Sequence, residues 1–278
     1  MAGIIWLASY PKSGNTWLRS FLHNFLRAAD RSHDINRLTD LTAGESMTEL
    51  YRAQDPLLDE HYTDDRVRQL RPLVHRAISQ RSPDTVLVKT HNALAEIDGA
   101  PLISLDVTAG AIYVVRNPLD VAISFSHHNR TTVDNMIEFM NTKAAATVSN
   151  ATNVYEFYDT WSGHVASWTA TSSPTLHVMR YEDMLASPLK SFGGVVKFLG
   201  IEAPRQRIEK AIRLSSFQVL KEQERRQGFR ERPRAMEAFF REGKAGQWKK
   251  VLSNEQIAAI VSAHREQMER FGYVPDGM

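Results

Sequence analysis

The chain has no cysteine among its 278 residues. That excludes disulfides, a thiol nucleophile and cysteine-ligated metal, and it makes no demand on redox compartment. Charge of one sign is also lacking: 34 Lys and Arg face 32 Asp and Glu, for a net charge of +2. Nucleic acid or a membrane surface would call for a concentrated basic face, so neither is an expected partner, although anions can be bound locally. There is no long hydrophobic run. Ile4-Ile5-Trp6-Leu7-Ala8 closes on Pro11 and Lys12, too short for a signal peptide or a membrane span, and a soluble cytoplasmic protein is expected. No internal repeat and no Pro/Gly/Ser linker divides the sequence, so one domain over residues 1–278 is expected. With 42% hydrophobic and 24% charged residues, that domain can bury a large core.

Four β-rich runs stand out: Ile4 to Ser9, Thr85 to Lys89, Ala111 to Val115 and Thr175 to Arg180. Their apolar residues are nearly continuous, as in strands buried on both faces of a parallel sheet. Helical stretches separate them, which implies right-handed crossovers and a three-layer α/β fold, a central parallel sheet flanked by helices. Trp17, Leu18, Phe21, Leu22, Phe25 and Leu26 recur at helical spacing directly after the first strand. Asn117-Pro118 opens a second helix as cap and first turn, and Ser253 with Gln256 makes a capping-box pattern for a last helix that Gly272 stops. Ser32 to Leu70 and Thr131 to Thr160 show weak periodicity and read as lid or acceptor-binding segments, or as irregular helices.

The first strand runs through Tyr10-Pro11-Lys12-Ser13-Gly14-Asn15-Thr16-Trp17 straight into a helix. A strand, a glycine turn and a helix in succession aim backbone N–H groups and the positive helix end at one point, which favours an anion. Lys12 adds a cation, Ser13 and Thr16 add hydroxyls, and Gly14 lets the backbone approach closely. An ordinary β–α turn with an exposed lysine has the same outline. The loop lacks the Walker A order, in which the lysine follows the second glycine, and no strand ends on an acidic residue suited to Mg²⁺, so metal-dependent ATP hydrolysis is disfavoured.

The third strand leads into Arg116-Asn117-Pro118, with Ser124 two helical turns on, at the sheet edge where ligands of open α/β sheets bind. Arg116 is suited to clamp a second phosphate, or else to pair with Asp120. The second strand ends in Lys89-Thr90-His91 on the same edge, which makes His91 a candidate general base, with His127 and His128 as weaker ones. Arg241-Glu242-Gly243-Lys244-Ala245-Gly246-Gln247-Trp248-Lys249 combines cations, glycines and an aromatic without period, as in a loop folded over a nucleotide or a solvated basic loop.

Together these segments resemble the sulfotransferases whose donor is 3′-phosphoadenosine 5′-phosphosulfate (PAPS) and whose nucleotide product is the bisphosphate PAP. Residues 10–17 resemble the family's Y-P-K-S-G-T-T-W loop, with Asn15 the departure; Arg116 to Ser124 resembles its 3′-phosphate motif; residues 241–249 fit R-x-G-x-x-G-x-W-K. The resemblance implies a P-loop nucleotide-kinase-like fold, a small-molecule acceptor and no metal. It implies Lys12 on the bridging oxygen and leaving phosphate, and Asn15, Thr16 and nearby amides, Ser13 and Gly14 among them, around the 5′-phosphate. Trp17, Phe217 and Tyr181 would contact adenine, with Ser216 the matching serine. Arg116, Ser124, Arg241 and Gly243 would bind the 3′-phosphate, and His91 would be the catalytic base with Lys89 two positions before it. Glu242 stands where many cytosolic members have lysine. Lys249, Ser253, Asn254 and Ala258 occupy the places of the K-x-x-x-T-V-x-x-x-E dimer motif of animal cytosolic members, so that dimer is not expected.

Overall fold

A computed structural model describes residues 3–28, 30–55, 63–233 and 236–278. The strands are β1 (Ile4–Ser9), β2 (Thr42–Gly44), β3 (Val86–Thr90), β4 (Glu96–Ile97), β5 (Ala100–Pro101), β6 (Thr108–Val115) and β7 (Leu176–Arg180). Five of them form the central parallel sheet in the order β2-β3-β1-β6-β7, flanked by helices, and β4 and β5 form a small separate ladder. The three-layer α/β expectation therefore holds. β1 begins and ends where its apolar run does, β3 and β7 are each shifted by a residue at their starts, and β6 begins three residues earlier. The sequence reading lacked β2, whose Thr-Ala-Gly has no apolar run to announce it; it is held by parallel pairing with β3, Thr42 to Leu87 and Gly44 to Lys89.

The chain condenses into two compact units. The first comprises Met1–Tyr10, Thr42–Tyr113 and Phe139–Val178, and the second Pro11–Leu41, Val114–Glu138 and Met179–Met278. Along the chain, three of the five changes of unit come near the C-terminal ends of β1, β6 and β7, where α/β folds carry their loops.

In the first unit β1 and β3 pair in parallel from Ile4–Val86 to Ala8–Thr90. Ile4, Trp6, Leu7, Ala8 and Val88 are wholly buried, as expected of strands covered on both faces. The Asp64–Ser79 helix is capped by Thr63, whose hydroxyl accepts from the Arg66 N–H. Of the weakly patterned stretch 32–70, residues 56–62 lie outside the described residues; the rest holds a 3₁₀ turn (Ile35–Asp40), β2, a short helix (Thr48–Arg52) and the start of the Asp64–Ser79 helix. The other stretch, 131–160, contains the Val133–Asn141 helix followed by irregular chain.

In the second unit the Asn15–Leu26 helix follows Gly14, a left-handed N-cap residue (φ 108°) that offers no side-chain cap. Asn117 caps the Pro118–Asn129 helix as expected, its side-chain oxygen accepting from the Leu119 N–H at 3.0 Å. Both halves of the Ser253/Gln256 capping box form on the Asn254–Arg270 helix, and Gly272 follows at φ 66°. Ile35, Leu38, Leu220, Phe229 and Phe240 make a buried cluster against which Trp17, Phe217 and Phe239 pack.

Candidate active site

The second unit gathers the three motifs that carry the resemblance. Lys12 takes a left-handed backbone conformation (φ 67°), unusual for a side-chain-bearing residue, and Gly14 does so at φ 108°. A Cβ at Gly14 would lie 2.8 Å from the Tyr181 ring, so only glycine lets that ring sit against the turn. The Lys12 ammonium rests 3.9 Å from the centroid of Phe239 and 3.3 Å from His128 Nδ1. Ser13 is buried, and its hydroxyl has no hydrogen-bond partner. Buried polar atoms are rarely left so. An orphaned hydroxyl in a loop at a helix N-terminus is what a phosphate oxygen would satisfy.

Arg116 joins the motifs. Its guanidinium donates through Nη1 to the Lys12 carbonyl (2.8 Å) and through Nη2 to the Lys244 carbonyl (3.3 Å), while Nε has no partner. It also lies 4.3 Å from the Tyr181 ring, and burial raises the pKa of that phenol while Arg116 opposes the rise. The sequence alternative of an Arg116–Asp120 pair is not what forms. Asp120 turns its carboxylate to the third motif, accepting from the Gly246 N–H at 2.6 Å and the Trp248 N–H at 3.1 Å. The helix that begins at Pro118 thereby anchors the segment ending in Trp248. A second carboxylate, the buried Glu224, holds that segment's start by accepting from the N–H groups of Phe239 (2.8 Å) and Phe240 (2.9 Å). Arg19 and Glu231 form a two-pronged ion pair at 2.7 and 2.8 Å that ties the first helix to the residues just before. The residues after Phe239 thus form a strap fixed at both ends.

Within the strap Gly243 is left-handed at φ 61°, and a Cβ there would fall 2.3 Å from Cγ of Phe217. Phe217 starts the Phe217–Gln227 helix, and Ser216 is its N-cap residue. Trp17 meets Tyr181 and Phe192 edge to face, with centroids 6.0 and 5.6 Å apart. Its indole N–H has no hydrogen-bond partner. Ser124 lies on the Pro118–Asn129 helix, half-buried. Arg241 lines an open cavity of about 750 Å³ with His127, Arg130 and Glu237. Burial and then Arg241 lower the pKa of His127. Glu242 pairs weakly with Lys244 at 3.7 Å.

Lys89 and His91 belong to the first unit. Pairing of Ala8 with Thr90 makes the next residues, Ser9 and His91, neighbours across the strand ends. His91 Nδ1 lies 2.7 Å from the Ser9 carbonyl oxygen. A carbonyl only accepts, so Nδ1 carries the proton and the neutral ring keeps its lone pair on Nε2. The His91 carbonyl accepts from His164 Nε2 (3.0 Å), and the Tyr113 hydroxyl bonds His164 Nδ1 at 2.8 Å. Burial lowers the His164 pKa to about 4, so this second ring is neutral and serves as a fixed donor. Lys89 Nζ lies 4.0 Å from a Glu156 oxygen. Sequence reasoning missed Asp120 and Glu224 as strap anchors and Phe239 and His128 as the seat of Lys12; it offered Asp120 only as an alternative partner for Arg116.

The sulfotransferase-domain family matches residues 3–272 of the chain. A dog protein named sulfotransferase 1A1 is 24% identical over 277 residues, covering 96% of this chain and 83% of its own length. The flavonol 3-sulfotransferase of Flaveria bidentis is 24% identical over 282 residues, covering 97% of this chain and 83% of its own. Among solved structures, mouse sulfotransferase SULT7A1 complexed with PAP aligns with a TM-score of 0.65 at 21% identity, over 99% of this chain and 90% of that one. Retinol dehydratase in complex with androsterone and PAP aligns at 0.66 and 18% identity, over 96% and 80%. These likenesses establish the fold. No helix among the described residues is long and apolar enough to cross a membrane. The match over nearly the whole length identifies the chain as a member of the sulfotransferase domain family.

Proposed function

We propose that the chain transfers the sulfuryl group of PAPS to a hydroxyl of a small-molecule acceptor in the cytoplasm, with His91 as base and Lys12 as leaving-group stabiliser. The observation that carries the reading is Arg116, whose one guanidinium bonds the carbonyls of Lys12 and Lys244 and so brings the first and third motifs to the second. Relatives bound to PAP support the donor assignment. So do the partnerless Ser13 hydroxyl and Arg116 Nε, groups suited to phosphate oxygens.

The donor, when bound, supplies an electrophilic sulfuryl group on a phosphate leaving group. Ser13, Gly14, Asn15 and Thr16 hold its 5′-phosphate through hydroxyls and backbone N–H groups. Trp17, Tyr181 and Phe217 would pack on the adenine, with Ser216 the serine that matches the family's beside Phe217. Arg116, Ser124, Arg241 and Gly243 hold the 3′-phosphate. Lys12 neutralises charge gathering on the leaving oxygen, the kind of preorganised stabilisation that removes the largest part of such a barrier. His91 takes the acceptor proton on Nε2, an effect of roughly 10²–10⁴-fold. Lys89, held by Glu156, supplies positive charge for the transferring group. The described parts of 32–70 and 131–160 would supply the acceptor pocket, residues 56–62 lying outside the described residues.

Thermal shifts test the nucleotide reading: PAP should raise the melting temperature at concentrations where ATP with Mg²⁺ does not. The reverse order would point to phosphoryl transfer. His91→Ala should retain PAP binding and lose turnover, and normal turnover would remove the base assignment.

A further inference from the structure

Glu45 is a carboxylate that the proposed chemistry leaves unused, and it is wholly buried. Three polar neighbours in the same core, Arg71, His75 and Tyr51, are wholly buried with it. Burial alone would raise its pKa, but Arg71 and His75 hold the carboxyl at about 2, so it is ionised. His75 Nε2 faces it at 3.6 Å, and burial lowers that imidazole's own pKa. A buried carboxylate is costly unless its oxygens are well supplied with donors. Two of its donors are the hydroxyls of Ser46 (2.9 Å) and Tyr51 (3.4 Å), and two more come from the histidine segment.

Register explains how. Gly44 pairs with Lys89 across β2 and β3, and the Glu45 N–H donates to the Lys89 carbonyl at 3.2 Å. The Glu45 side chain is thereby set beside the end of β3. Thr90 donates its hydroxyl to Glu45 Oε1 at 3.1 Å, and the same hydroxyl accepts from the Asn92 N–H at 3.0 Å. Asn92 donates through its side-chain amide to the same Glu45 oxygen. Its side-chain carbonyl accepts from the Phe157 N–H at 2.7 Å. One carboxylate thus grips the residue before His91 and the residue after it.

We propose that Glu45 is a positioning residue for the base: it fixes the backbone on either side of His91 so that Nδ1 stays on the Ser9 carbonyl and Nε2 keeps the lone pair. The inference rests on reading His91 as the base. A general base displaced by about 1 Å loses on the order of 10²-fold in rate, so small movement of this segment matters.

The test compares Glu45→Gln, Thr90→Val and Thr90→Ser with the unaltered chain. PAP affinity is measured by calorimetry, turnover with p-nitrophenol as probe acceptor, and His91 protonation by its ring ¹⁵N signals. Thr90→Val removes the hydroxyl at constant shape and keeps the buried charges balanced, so it remains informative if Glu45→Gln fails to fold. Expected for both Glu45→Gln and Thr90→Val are a kcat lower by about 10- to 100-fold, an unchanged PAP Kd, and ¹⁵N signals of a mixed Nδ1–H and Nε2–H population. Thr90→Ser should restore kcat and the single Nδ1–H signal, again with an unchanged PAP Kd. If p-nitrophenol is not turned over, the ¹⁵N signals decide alone. A single Nδ1–H form with unaltered kcat in Thr90→Val would overturn the positioning role. His91→Ala separates the two layers: full turnover there removes the base itself, whereas lost turnover there with normal Thr90→Val removes only the role of Glu45.

Discussion

Replacing Asp120 with asparagine tests whether the strap belongs to the nucleotide site. The buried carboxylate of Asp120 accepts from two backbone N–H groups, those of Gly246 and Trp248. Bonds to a charged group contribute about 1.5–3 kcal/mol each. Asparagine keeps one acceptor oxygen but turns an NH₂ toward the other N–H, so one bond is lost and one donor is left facing a donor. The expected weakening of strap anchoring is about 2–4 kcal/mol. At 1.4 kcal/mol per tenfold, the ceiling on lost PAP affinity is roughly 30- to 1000-fold. Glu224 still holds the N–H groups of Phe239 and Phe240, and the Arg19–Glu231 pair stands just before them. The realised loss should therefore be about tenfold to a hundredfold, because only the fraction of molecules with the strap in place binds at full affinity. Calorimetric titration with PAP measures the loss, and hydrogen exchange at Gly246 and Trp248 measures the anchoring. Faster exchange at both amides with a PAP Kd within about twofold of the unaltered chain would refute the reasoning, because the strap would then be loose and the nucleotide indifferent.

Gly243→Ala sets a Cβ 2.3 Å from Phe217 in a left-handed backbone and should lower PAP affinity at least tenfold by calorimetry. Lys12→Ala should lower turnover by about 10²–10³-fold, the size seen on removing a single transition-state donor, while PAP affinity changes much less; the reverse pattern would make Lys12 a plain anchor. Stability should fall with acid through His164. Its folded pKa of about 4 lies below the ordinary 6.5, so the unfolded chain takes up the proton first, and the contribution is complete above pH 6.5 and lost as pH falls towards 4. The full loss is roughly 3 kcal/mol. His164→Gln should flatten the slope of melting temperature against pH in that window, and an unchanged slope would mean that other groups set it.

The parts of this protein that were legible in its sequence are those with local signals. β1 and its helix showed as a continuous apolar run followed by apolar residues at helical spacing, and the caps at Asn117 and Ser253 rest on side chains that bond within three residues of themselves. β2 and the grip of Glu45 on the histidine segment were not legible, because Thr42–Gly44 is a strand only by virtue of β3, and Glu45 bonds that segment through residues 45 and 47 positions away. The same holds for Glu224 and Asp120. Their donors are backbone N–H groups of the strap, and no spacing rule registers a bond across 126 residues to Gly246. The left-handed turn at Lys12 was hidden for another reason, since a lysine at φ 67° contradicts the residue's own preference. Motif resemblance found the groups suited to ligand. Geometry found the groups that hold them in place.

Transfer of label from PAPS carrying ³⁵S in its sulfuryl group tests the central claim most directly. Incubated with a panel of phenols, alcohols and sugars, the protein should move label to at least one hydroxyl, releasing one PAP for each sulfate ester formed, and His91→Ala should abolish the transfer. Tight PAP binding with no labelled product across the panel, or equal transfer by His91→Ala, would contradict the account.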